Sequence, residues 1–460
     1  MIMRSGMMVA GWIVIAAAAA LGQPRGGGVG PMGPMGEQGP QYLFFEAVTL
    51  PVSGDSAHVR VGVHYRIDRE FFIPVKNPDN AVPEPFRRRG EVSVELNDST
   101  GAPGGRALDR IELGEPSAER KPPGREWREG ILSMTVAPGT YKIVLSVDDL
   151  ESKRNFTDNR RVLRIGAGRT GIETADFFFV HAAGPDSLLP AFLPIVNYGA
   201  DVLYGRPSVL AVVWRGTSGE DSVLNARVGF AQIPPAGEDL DMLPPAATSR
   251  PRIFRGVSLT PVADGTRFGY ALAPGGSSSL ALVPFPSEKL LLRTFNLTLS
   301  FSTGGSRTKE ASRHFRTVWP DMPFSLKDID YALEALRYVT TEHQLDSLRS
   351  GNLENRRKNL ESFWRGRDRS PSSAYNEVET EYYRRVDYAT RNFGTLRAPD
   401  GFRSDRGKIY VLYGPPTRTD RSLDPAAGYQ ELWVYEKLRK EFRFVDQNKS
   451  GTYMLVTRPQ

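Results

Sequence analysis

The chain has 460 residues, 59 of them basic and 53 acidic, for a formal net charge of +6. That balance describes a surface of mixed sign rather than a polycation, which argues against nucleic acid as a partner. There is no cysteine, so disulfides, a thiolate nucleophile, Cys-ligated metal centres and a lipoprotein anchor are excluded.

At the N-terminus, Arg4 precedes an apolar run from Met7 to Leu21, and Ala20-Leu21-Gly22 sets small residues where a signal peptidase reads. The run is shorter than the roughly 20 apolar residues a membrane-spanning helix needs. A signal peptide over 1–22 is therefore expected, with no transmembrane segment left in the mature chain. Over 23–41, Gly27, Gly30, Gly33, Gly36 and Gly39 recur every third residue among prolines. So few collagen-like triplets cannot hold three chains together, and a flexible Gly/Pro tether is expected.

From 42 to 166 the pattern has period two. Val59, Val61, Val63, Tyr65 and Ile67 fall on one face of a strand, and His58, Arg60, His64 and Arg66 on the other. This predicts one buried and one wet face. Val92, Val94 and Leu96 repeat the alternation, and Ile131 to Val147, broken at Ala137-Pro138-Gly139-Thr140, reads as a hairpin. Arg87-Arg88-Arg89, the densest basic stretch, is expected in a solvated loop. A second unit spans 170–317, with a continuous apolar run at Val209–Trp214 and a β-forming stretch at Leu290–Phe301. Pro-rich loops at 233–235 and 243–245 separate its strands. Both units are expected to be sandwich-like. The five histidines are scattered and no metal site is expected; neither unit shows a phosphate loop or nucleophile elbow.

From residue 319 to 460 the character changes. Ser325 with Asp328 reads as a capping box, followed by a helical stripe of Ile329, Leu333, Leu336 and Val339. A second helix carries Leu353, Leu360, Phe363 and Trp364. A third runs from about Ala374 to Phe393. Lys408–Tyr413 reads as a strand stopped by Gly414-Pro415-Pro416, and Glu431–Glu436, Phe442–Val445 and Thr452–Val456 as further strands. The expected fold is thus multidomain: two all-β sandwich-like units, then an α+β domain of three helices and a small antiparallel sheet.

The ordered motifs of this last segment are Phe363-Trp364, Arg367-Asp368, Asn376-Glu377, Glu381-Tyr382-Tyr383-Arg384-Arg385, Gly401-Phe402-Arg403-Ser404-Asp405-Arg406-Gly407 and Tyr413-Gly414-Pro415-Pro416. Together they resemble the GWxTD domain, with Phe402 in place of Trp and Ser404 in place of Thr. The resemblance implies an exported bacterial protein with β-rich segments ahead of the domain, and no known reaction. A fainter likeness links the Gly-Pro turn and Trp433-x-Tyr435 strand to small outer-membrane-assembly lipoprotein domains that scaffold protein partners.

Candidate binding residues are Trp364, Arg367, Asp368, Asn376, Glu377, Glu381, Tyr382, Arg384, Phe402, Asp405, Arg406, Tyr413 and Gly414. They form either a polar pocket or a structural ion-pair network. No catalytic residue and no cofactor is assigned. The expected role is interaction or scaffolding, without catalysis, in the periplasm or at the cell surface, with other envelope proteins as partners. An envelope glycan or peptide hydrolase using Asp368, Glu377 or Glu381, and Asp405 is the alternative, and binding of a glycan without catalysis a third. Oligomeric state is left open.

Overall fold

The computed structural model describes residues 43–78, 84–116, 126–166, 171–181, 189–216, 225–233, 248–249, 251–265, 267–302, 308–396, 398–424 and 428–456. The segments expected to be a signal peptide and a Gly/Pro tether, residues 234–235 of the first Pro-rich loop and the 243–245 loop lie outside them. The architecture is mostly β, in several sheets, followed by helices and a small antiparallel sheet.

The first eight strands are β1 (Leu43–Val52), β2 (Asp55–Asp68), β3 (Val75–Lys76), β4 (Phe86–Asn97), β5 (Pro103–Glu115), β6 (Trp127–Val136), β7 (Gly139–Asp149) and β8 (Asn155–Ile165). Strands β1, β2 and β6 form one sheet. Strands β4, β7 and β8 run in order in a second, with β3 and β5 both against β4. The predicted stripe Val61, Val63, Tyr65 and Ile67 packs with Val92, Val94, Leu96, Ile143 and Leu145 in one core between the two sheets. The segment expected to be a hairpin is not one: β6 pairs with β2, whereas β7 pairs with β4 and β8. Ala137-Pro138 carries the chain from one sheet to the other, a crossing that local turn residues cannot distinguish from a hairpin.

Next come β9 (Gly171–His181), β10 (Phe192–Pro194), β11 (Val202–Leu203), β12 (Ser208–Arg215), β13 (Asn225–Ile233), β14 (Thr248–Ser249), β15 (Arg252–Ala263), β16 (Phe268–Phe285), β17 (Thr294–Ser302) and β18 (Thr308–Val318). One sheet has the order β10-β16-β12-β9 with β15 also against β16, and the other β11-β18-β17-β13-β14. Of these pairings, β11 with β18 is parallel.

The apolar run in β12 is buried on both faces. Leu210, Val212 and Trp214 join Phe295, Leu297 and Leu299 in one core. Val209, Ala211 and Val213 join Val48 and Leu50 of β1 in another. The β1-β2-β6 sheet therefore rests on the β12 sheet, and four sheets stack as layers. Strand β1 serves three cores: Leu43 and Phe45 in its own sandwich, Phe44 in the β12–β17 core, and Val48 and Leu50 at the seam.

This stacking covers most of the expected wet face of β2, leaving His58 at its edge 45 % exposed. His64 has no exposed surface; its Nε2 lies 2.7 Å from the Tyr270 hydroxyl. The Arg60 guanidinium donates to Leu259 O at 3.3 Å, and Arg66 lies over the Tyr198 and Trp127 rings. Alternation reveals that a strand has a polar face, not what covers it. The arginine triplet is corrected too. It lies in β4, where Arg88 is 4 % exposed and bonded to Glu115 at 3.0 Å, to Glu70 at 3.2 Å and to Phe72 O at 2.5 Å. A buried guanidinium needs such partners, and all of them are remote in sequence.

The C-terminal part contains α1 (Ile329–Ala335), α2 (Glu342–Arg349), α3 (Leu353–Arg365), α4 (Glu377–Phe393) and α5 (Asp405–Tyr413), then the antiparallel sheet β19-β20-β21-β22 (Arg418–Asp424, Gly428–Tyr435, Lys440–Asp446, Met454–Leu455). Asp328 caps α1 by itself, accepting from the N–H groups of Asp330 and Tyr331. The capping box is instead Thr341–Gln344 on α2. The expected strand Lys408–Tyr413 is the helix α5. Its Ile, Val and Tyr residues favour strands, but the Ser404 hydroxyl caps the N-terminus and Gly414, at φ 77°, ends it. Burial decides the outcome, because Val411 packs into the helical core while Ile409 packs against Trp433, Phe442 and Phe444 of the sheet.

Candidate functional site

The Gly401–Gly407 stretch wraps the joint between α4, α5 and the small sheet. Gly401 to Arg403 form one 3-10 turn. The Phe402 ring is fully buried, edge-on to Tyr331 at 5.2 Å between ring centroids. The Ser404 Oγ accepts the Gly407 N–H at 3.0 Å, which a threonine hydroxyl would also do. The Asp405 carboxylate accepts the Leu455 N–H at 2.7 Å, tying α5 to β22. Arg406 lies over the Tyr453 ring at 3.9 Å and pairs with Glu431 at 3.2 Å. Arg421 holds the other oxygen of Glu431 at 2.6 Å.

The remaining candidates fall into separate groups. Trp364, 3 % exposed, donates its indole N–H toward the Tyr383 hydroxyl at 3.5 Å, while its carbonyl accepts from Asn376 Nδ2 at 2.8 Å. Asn376 Oδ1 caps α4 through the N–H groups of Val378 and Glu379, both at 3.0 Å. The Tyr382 hydroxyl donates to Ala335 O at 2.6 Å. These three residues lock helices to one another. Elsewhere Glu381 pairs with Arg385 at 2.7 Å, the Arg385 guanidinium lies against Gly414, and the Tyr413 hydroxyl accepts from Lys440 at 3.2 Å. Arg367 lies over Phe363 at 3.7 Å, Asp368 accepts the Ser370 N–H at 2.8 Å, Arg384 pairs with Asp321, and Glu377 is exposed.

A concave groove of about 380 Å³ opens beside the Phe402–Asp405 turn, lined in part by Phe393, Pro399, Asp400, Arg403, Ser404, Arg406, Thr452 and Tyr453. None of Asp368, Glu377, Glu381 and Asp405 lines it. Sequence reading missed Glu431, Asp400 and Tyr453. Glu431 did leave a signal: it is the acid inside the apolar alternation Glu431-x-Trp433-x-Tyr435, and a buried acid there requires arginine partners. Among the described residues, no group of three or more His, Asp or Glu is placed to hold a metal ion, and no helix is long and apolar enough to cross a membrane.

The capped turn, the buried aromatic and the aspartate tied to β22 coincide with a family match over residues 303–460. That region is a GWxTD domain. No curated protein matches the chain in sequence. Among solved structures, the chain is similar to the C-terminal domain of the Streptococcus pyogenes antigen I/II-family protein AspA at 7% identity, over 59% of this chain and 99% of that one, with a TM-score of 0.15. It is also similar to a family 123 glycoside hydrolase from Clostridium perfringens at 11% identity and a TM-score of 0.14, over 34% of this chain and 31% of that one. The chain thus spans about a third of that hydrolase. Within the GWxTD domain, the motif's charged side chains hold helix to sheet, and the groove is the concave surface they frame.

Proposed function

We propose that the chain is an exported envelope or cell-surface protein that acts as an interaction or scaffolding module, docking a protein partner in the groove beside the Gly401–Gly407 turn. The observation that carries this reading is the groove itself, whose floor combines aromatic rings with anchored guanidinium groups. Tyrosine and arginine are the residue types that dominate binding energy at interfaces. Pre-anchored side chains also lose little conformational freedom on binding. Export rests on the 1–22 segment of the sequence.

The test is a pull-down of the mature chain from envelope extract, comparing wild type with Thr452→Trp, which fills the groove, and Arg403→Glu, which reverses charge at its rim. Both positions are solvent-accessible, Arg403 at 46 %. Thr452→Trp should melt as wild type does, whereas Arg403→Glu sets a third carboxylate beside Glu334 and Asp400 and should melt slightly lower, so capture is read well below both midpoints. Loss of a wild-type partner from both variants is the expected result. Capture of the same partners by both would move the docking surface elsewhere.

A further inference from the structure

We propose that the seam between the first β-sandwich and the β12 sheet is a proton-operated latch, worked by His64 and Glu46. The two residues pair across β1 and β2 and both point toward the second sandwich, where they are 0 % and 5 % exposed. His64 is boxed edge-on by Phe178, Phe268 and Tyr270, with ring centroids at 5.9, 6.1 and 5.6 Å. Its Nε2 shares a hydrogen bond with the Tyr270 hydroxyl. Its Nδ1 has no hydrogen-bond partner and sits 4.0 Å from Glu46 Oε2. Gly62 leaves the room for this contact, since a Cβ there would lie 2.9 Å from the Tyr270 oxygen.

Glu46 in turn meets Arg313, which reaches in from β18. Arg313 also lies 3.5 Å from Asp176 of β9, and Asp176 accepts from the N–H and hydroxyl of Thr49 on β1 at 2.7 and 2.8 Å. The charged and titratable groups facing the pair are therefore Arg313, Asp176 and Tyr270, with Asp201 and Arg60 farther out. One polar cluster thus joins three sheets at the seam.

The chemistry gives the latch two limbs. Burial, with the Arg313 charge beside it, pushes the His64 ring down to about 3. Its folded value lies below the unfolded one, so its contribution to the seam is complete above about 6.5 and is lost as pH falls toward 3. Burial pushes Glu46 the other way, to about 7. Its contribution is complete below about 4.5 and is lost as pH rises through 7. Between about 4.5 and 6.5 the two slopes oppose and cancel, so the seam is level there; it loosens below about 4.5 as His64 goes on charging and above about 6.5 as Glu46 does. Strand β4, whose Val92, Val94 and Leu96 pack in the core between β2 and β4, serves as the internal reference.

Hydrogen exchange of the full chain, read from pH 3 to 9 and corrected for intrinsic rates, tests this. Peptides covering β1 and β9 should lose protection relative to β4 at both ends of the range, by about tenfold per pH unit below about 4.5 and by about threefold in all above about 6.5. His64→Phe should remove the acid limb and leave the alkaline one; Glu46→Gln should do the converse. His64→Gln, neutral throughout and able to accept from Tyr270, serves if the phenylalanine variant does not fold. Limbs that persist in these variants overturn the proposal, as does loss of β1, β9 and β4 protection together at every pH.

Discussion

Arg406 and Glu431 meet at 3.2 Å with side chains only 12 % and 3 % exposed, so the motif's third charged residue is committed to a buried partner on the neighbouring strand. Breaking such a pair from one side strands the other charge, at a cost of about 3–5 kcal/mol. Arg421 remains as a second partner but is 77 % exposed, which puts the expected loss for Arg406→Ala near the lower end, about 3 kcal/mol. Adding Glu431→Gln should recover part of it, because the stranded charge is gone. Urea unfolding of the two variants checks this, and an Arg406→Ala curve that overlays wild type would show that the pair does not hold the fold.

The motif's second glycine is held by backbone on both sides. A Cβ at Gly407 would sit 2.1 Å from Gly401 O, and one at Gly401 would sit 2.3 Å from Ala389 O. These are main-chain atoms with no rotamer to escape into. Gly407→Ala is therefore expected to leave the GWxTD domain unfolded, seen as loss of helical circular dichroism. Phe402→Ala, which empties a fully buried site, should lower stability by about 3–5 kcal/mol. Folded Gly407→Ala with a wild-type melt would show that the turn can shift.

How much of this was legible beforehand follows from what each signal reports. Period-two and helical stripes report local burial, so β2, β12, α3 and α4 could be read from the sequence. Strand β19 could not: Arg418-Thr419-Asp420-Arg421-Ser422 is an exposed edge strand with no apolar face. Its pairing with β20 comes from the sheet, not from its own residues. Helix α5 was misread because both of its flanks are buried, which removes the periodicity that separates helix from strand. His64 looked wet because its cover, Tyr270, lies over two hundred residues away. At the motif, the residue types were legible, but their division between helix locks and groove frame was not.

Glu379 gives a pH dependence separate from the seam. Burial first, then the nearby Glu361 and Asp368 carboxylates, raise it from 4.5 to about 7. The folded state thus holds a proton that the unfolded chain releases above about 4.5, so this group's contribution to stability is complete below that pH and is lost as pH rises through 7. Glu379→Gln removes the dependence. Its melting temperature should exceed wild type at pH 8 and match it at pH 4.5, and an equal difference at both pH values would sink the assignment.

The last prediction concerns how the GWxTD domain is docked onto the β-sheets. The Tyr204 ring lies 5.2 Å from Trp319 and 6.2 Å from Tyr375, centroid to centroid. Its hydroxyl donates to Ala374 O at 2.5 Å, and the Ala374 N–H donates to Glu288 O at 2.7 Å. Gly205 allows this clasp twice over. Its φ of +67° is a left-handed conformation, and a Cβ there would come within 2.1 Å of the Tyr375 Cβ. Gly205→Ala adds a penalty of about 1 kcal/mol or more for the backbone alone, and the clash must push the 374–376 segment away. Neither the β-cores nor the helical core contains Gly205, so both should survive while the docking loosens. Limited trypsin digestion is the measurement. Cleavage at Arg367 and Arg369, between α3 and α4, should accelerate several-fold with the 43–166 fragment still protected. Cleavage at the wild-type rate would show that the aromatic clasp does not hold the domain in place.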